Sequence, residues 1–235
     1  MNRKNVSAAG SPLHYMSAMD FMSTPWVVTV VSVLLTSGLW AAARRLRGRA
    51  EERLLPPLII EATERHTHSV ILLHGMYCTG EMFKTVPQIM SELGGQPGNI
   101  RWIFPNAPKR KITWPNDEQE GVSAWYNYFT SNGGTMEHDL IDEKHLASVT
   151  RQVHAIIDSE AARLDGDTTR IAIGGNSQGG TVAMHSALTY PLELGALLGL
   201  CTTLLDVTPV AQRAVQAMPV FLFTAENDQE VKLAS

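Results

Sequence analysis

Ser177 stands in Gly175-Asn176-Ser177-Gln178-Gly179, a Gly-x-Ser-x-Gly pattern that can carry a nucleophilic hydroxyl on a tight turn. A serine hydroxyl is a weak nucleophile. It needs a base to take its proton, an acid to orient that base, and N–H donors for the oxyanion that forms. The letters alone are weak, because a glycine-rich turn with serine as a helix N-cap reads the same way. Context favours chemistry. Apolar Ile171-Ala172-Ile173 precedes the pattern, and a helical run from Gln178 to about Leu188 follows it and stops before Pro191. Such a strand–turn–helix holds a nucleophile elbow, in which Gly175 and Gly179 give the turn room. The helix starting beside Ser177 also points free N–H groups and a positive dipole end at the developing charge.

The elements that must position this turn alternate along the chain. Leu58-Ile59-Ile60, Val70 to Leu73, Ile100 to Phe104, Ala196 to Leu200 and Val220 to Thr224 read as apolar strands, the third halted by Pro105. Pro87 suits the first turn of a helix to about Leu93, closed by Gly94-Gly95. Leu146, Val149, Val153, Ile156, Ile157 and Leu164 mark one face of a long helix. Residues 105–139 show no clear period and read as a functional loop or lid. The alternation predicts an α/β fold with a mostly parallel central sheet and helices on both faces.

Composition bounds the function. Of 235 residues 44% are hydrophobic and 18% charged, which supports a packed domain. A net charge of -4, with no dense basic patch after the first 53 residues, argues against nucleic acid as a partner. Cys78 and Cys201, the two cysteines, form neither a disulfide framework nor a metal cluster, so no metal is expected.

The N-terminus differs in kind. Phe21 to Ala43 carry no charge, and Trp26 to Ala43 as a helix would span about 27 Å, close to a bilayer's hydrocarbon thickness. Arg44, Arg45, Arg47, Arg49 and Arg53 follow, which by the positive-inside rule places the next domain on the cytoplasmic side. The division expected is residues 1–56, with a transmembrane helix at about 21–43 and a basic linker, then a catalytic domain at 57–235. A targeting presequence and a buried or interfacial helix are the alternatives.

Leu73-His74-Gly75, Thr79-Gly80, Phe104 to Pro108, Ile112-Thr113, Trp125-Tyr126 and Gly175 to Gly180 occur in an order that resembles the acyl-protein thioesterase, phospholipase and carboxylesterase group of α/β-hydrolases. The resemblance implies the α/β-hydrolase fold and hydrolysis of acyl thioesters or oxygen esters, with acylated proteins or lysophospholipids as substrates and no cofactor. It implies oxyanion donors at the backbone N–H groups of Met76 and Gln178, and a bracing role for His74. Trp125 and Tyr126 become candidates for lining the acyl groove, with packing beneath the loop as the equal alternative. It also implies Asp228 as the acid that orients the histidine, with Glu226 as runner-up.

The sequence departs from the family in several places. All eight histidines precede Asp228, although the family's base follows its acid. The expectation is therefore a domain lacking the last strand and helix, either a piece of a longer active enzyme or a membrane-tethered binding protein without the triad. Tyr77-Cys78 replaces a common Gly-Asp, and Asn127 stands in place of an acid. A peptidase or dienelactone-type hydrolase would share the fold.

Overall fold

The structure is a computed structural model that describes residues 52–113, 118–130, 140–209 and 218–228. Eight strands and three α-helices follow one another in them. They are β1 (Leu55–Ile60), β2 (His68–Leu73), α1 (Val86–Glu92), β3 (Ile100–Asn106), β4 (Lys109–Ile112), β5 (Gln119–Ser123), α2 (Glu143–Arg163), β6 (Ile171–Asn176), α3 (Gln178–Thr189), β7 (Ala196–Leu200) and β8 (Val220–Phe223). Six form one sheet in the order β1-β3-β2-β6-β7-β8, with β1 antiparallel to β3 and every other pair parallel. The expected mostly parallel sheet is therefore present.

Side chains alternate across it. Ile71, Leu73, Ile103, Ile173 and Leu197 join α2 and α3 in one cluster, whereas Leu72, Trp102 and Phe104 pack with Phe83, Val86 and Met90 on the other side. On α2, Leu146, Val149, Val153 and Ile157 are buried at helical spacing, and the Asp142 side chain caps the helix by accepting from the Lys144 and His145 N–H groups.

Three expectations change. Strand β3 runs through Pro105 to Asn106 instead of stopping. Its ladder with β2 ends at Ile103, and the β1 register shifts between Leu55 and Leu58, so no partner asks Pro105 for an N–H. Strand β1 begins at Leu55 and takes in Pro56 and Pro57 at an edge of the sheet, ahead of the expected boundary at 56/57. The stretch 105–139 contains a two-stranded antiparallel hairpin, β4 with β5.

Strand β8 flanks β7, and all four of its side chains are more than half exposed. The apolar segment 21–43 lies outside the described residues, and among those described no helix is long and apolar enough to cross a membrane.

Candidate active site

Ser177 joins β6 to α3 with φ 50° and ψ -127°, a backbone region that costs a non-glycine residue energy. The surroundings hold it there. Its N–H donates to Leu200 at 2.9 Å, and its carbonyl accepts from the Thr181 N–H at 3.0 Å and the Thr202 hydroxyl at 2.9 Å. The turn has no space for side chains. A Cβ on Gly179 would come within 2.3 Å of the Leu73 and His74 carbonyl oxygens, and one on Gly175 within 2.6 Å of Leu73 O. These contacts fit the turn that Gly-x-Ser-x-Gly demands.

The loop after β2 lies beside the serine. A Cβ built on Gly75 would sit 3.5 Å from Ser177 Cβ. Gly75 to Cys78 form a turn closed by Cys78 N–H to the Gly75 carbonyl at 3.1 Å, with Tyr77 in the third position at φ 67°. A type II turn favours glycine at that position, so the Tyr77-Cys78 departure has a local conformational cost. Two contacts to β5 offset it: the Tyr77 N–H donates to Ser123 O at 2.9 Å, and its hydroxyl to Gln119 Oε1 at 3.1 Å. Met76 packs against Ile112, Val122 and Ala124 of the hairpin.

His74 braces this loop and cannot readily act as a base. It is fully buried, its Nδ1 bonds to the Gly75 carbonyl at 2.7 Å, and its Nε2 accepts from the Ala107 N–H at 3.1 Å. Burial lowers its pKa, against the pull of the Gly75 carbonyl, and the charge of Lys109 adds a little in the same direction as burial. Trp125 lies 5.1 Å from the His74 ring and donates from its indole N–H to the His74 carbonyl at 2.7 Å.

Trp125 and Tyr126 are both fully buried. They belong to the cluster under the loop with α2 and α3, so their surface packs into the core. What holds them was not visible in the sequence. The Gln178 side chain accepts from the Trp125 N–H at 2.8 Å and donates to the Tyr126 carbonyl at 2.9 Å, so the residue after the serine holds the loop through its amide. Asn127 accepts from the Thr113 N–H at 2.8 Å, which ties the far end of β4 to the same loop.

Asp228 lies in the turn after β8, where its N–H donates to the Ala225 carbonyl at 3.0 Å. Since β8, β7 and β6 are adjacent and parallel, this turn and Ser177 leave the sheet at the same, C-terminal, ends of the strands. The described histidines make their contacts elsewhere. His66 meets Ser69, His68 meets Thr67, His145 faces Asp142, His154 meets the Ser186 carbonyl, and His185 meets Thr208. His14 and His138 lie outside the described residues. No group of side chains among the described residues could hold a metal ion.

Comparison with known proteins gives the same frame. The chain matches the phospholipase/carboxylesterase family profile over residues 56–235. It is 34% identical over 145 residues to acyl-protein thioesterase 1 of Schizosaccharomyces pombe, a match covering 62% of this chain and 60% of that protein. Against acyl-protein thioesterase 1 of Cryptococcus neoformans it is 29% identical over 187 residues, 75% of this chain and 73% of that one. The solved structure of Arabidopsis thaliana SOBER1 superposes with a TM-score of 0.56 at 25% identity, covering 71% of this chain and 77% of that chain. Zea mays acyl-protein thioesterase 2 gives the same TM-score at 22% identity, which speaks for the fold alone. The chain thus spans less than two thirds of the Schizosaccharomyces relative. With the elbow, the loop beside it and the sheet order in agreement with this match, the chain belongs to the phospholipase/carboxylesterase family of α/β-hydrolases.

Proposed function

We propose that this domain is a serine hydrolase that cleaves carboxylic esters or thioesters of acyl chains through an acyl-enzyme on Ser177. The observation that carries the reading is the strained backbone of Ser177 between β6 and α3, held against the Gly75 loop. Ser177 Oγ attacks the acyl carbonyl carbon as its proton passes to a base. The N–H groups of Met76 and Gln178 donate to the oxyanion, and collapse of the intermediate expels the thiol or alcohol with a proton. Water then repeats the sequence on the acyl-enzyme, releasing the carboxylic acid and restoring the serine. Asp228 is the acid that orients the base. Acylated proteins and lysophospholipids are the substrate classes, supported by the relatives named acyl-protein thioesterase.

The competing reading, a domain that binds acyl chains without turnover, is not favoured by the family match and the thioesterase relatives. Labelling with a fluorophosphonate probe separates the two. Ser177-dependent labelling, absent in Ser177→Ala, supports the hydrolase, and folded protein that neither labels nor hydrolyses esters sinks it. We further propose that the uncharged segment 21–43 and the arginines after it tether the domain to a membrane. Release of the full chain from vesicles by alkaline carbonate would refute this.

A further inference from the structure

The hairpin β4–β5 pairs with itself and not with the main sheet, yet it holds the loop that contains Met76. An isolated two-stranded hairpin is marginal, so something must fix this one. Its inward positions are Ile112, Val122 and, unexpectedly, Arg110. The Arg110 side chain is 1% exposed, and its Nη1 lies 3.0 Å from Glu52 Oε2. None of its guanidinium nitrogens has an aligned hydrogen bond, so the charge of Glu52 is its close partner. Asp142 acts on it as a second negative charge, and His145 contacts Asp142 and feels the charge of Arg110.

Glu52 is itself held. The Gln152 side chain of α2 donates to the Glu52 carbonyl at 2.9 Å and accepts from the Leu54 N–H at 2.9 Å, gripping the segment on both sides of Arg53. A continuous path then runs from α2 to the loop beside the serine. Gln152 fixes Glu52, Glu52 fixes Arg110, Arg110 pairs in register with Val122, and Ser123 O takes the Tyr77 N–H one residue beyond Met76.

We propose that Glu52 and Arg110 are positioning residues that set the oxyanion loop through the hairpin, so that the segment leading into the domain is coupled to the site. This rests on Met76 being an oxyanion donor, as proposed above. Neither residue touches the reacting atoms. Their removal acts by freeing the turn at Tyr77, whose left-handed backbone has little to hold it once Ser123 moves.

Amide hydrogen exchange on the full chain tests this without needing turnover. In Glu52→Gln, the Tyr77 and Cys78 amides should exchange about tenfold faster, while Ile71 and Ile173 in the central strands keep their parent rates. Glu52→Asp should restore most of the protection. Arg110→Met should reproduce the effect, and Glu61→Gln, which removes the separate pair with Arg101, should not. Unchanged exchange at Tyr77 in Glu52→Gln overturns the proposal, as does a uniform rise that includes Ile71 and Ile173. Where the parent chain labels at Ser177, the same variant should slow labelling while leaving ester binding unchanged. A parent that does not label counts against the hydrolase and leaves the exchange result to stand or fall by itself.

Discussion

The side-chain amide of Gln178 reaches from the first turn of α3 to accept the backbone N–H of Trp125 at 2.8 Å. Its other end donates to Tyr126 O at 2.9 Å, so two peptide groups of the buried loop are bonded by one side chain. The helix that follows Ser177 and the segment over it therefore form one hydrogen-bonded unit, and Trp125 extends it to the His74 carbonyl.

Gln178→Leu removes both of these bonds to the buried loop. Each lost bond costs about 1–3 kcal/mol, which predicts a loss of roughly 2–6 kcal/mol. Urea unfolding followed by tryptophan fluorescence reads it, and a loss under about 1 kcal/mol would show that the loop finds other partners.

Strain at Ser177 separates two truncations. Glycine adopts φ 50° freely whereas alanine keeps the penalty of a Cβ. Ser177→Gly should be about 1 kcal/mol more stable than Ser177→Ala in thermal or urea unfolding. Equal stability would mean that the hydrogen bonds to Leu200, Thr181 and Thr202 do not hold a strained residue.

Gly179→Ala should be far more damaging than an ordinary glycine substitution in a helix. The added Cβ meets two backbone oxygens at 2.3 Å, and neither can swing away as a side chain could. Overpacking of this kind costs typically 1–3 kcal/mol or more, and here the strand end must move as well. Soluble Gly179→Ala protein with parent-like unfolding would contradict the packing at the elbow.

Acid should weaken the fold through its histidines. Burial lowers the pKa of His74, of His145 with help from Arg110, and of His185 with help from His154. The unfolded chain then takes up protons first as pH drops below the ordinary histidine value of 6.5. Stability is whole above that value and declines below it, by at most about 1.4 kcal/mol per pH unit for each group, until the folded histidines also protonate. Urea midpoints between pH 7.5 and 5 should show the decline, and His185→Gln should shallow it. A flat profile would mean that these rings charge in place.

The elbow was legible because every level agreed. Ile171-Ala172-Ile173 is a buried apolar run, the two glycines sit where carbonyls crowd, and α3 follows at once. The hairpin was hidden for the opposite reason. Its inward row includes a cation, and Lys109, Arg110 and Lys111 in succession read as a solvated stretch although Arg110 is buried. Pro105 misled in the same way, since a strand residue without a paired N–H breaks no ladder. Tyr77 could be seen to depart from the family, but only the turn shows that it occupies a glycine's conformation.

The braces of Ser177 also have an order in time. Leu73, His74, Thr181, Leu200 and Thr202, which crowd or bond the elbow, all precede Thr203, whereas β8 begins only at Val220. Ribosomes deliver a chain from its N-terminus. The serine's turn can thus close on the nascent polypeptide before the strand that leads to Asp228 has been made, and that strand is added to a turn already locked in its frame.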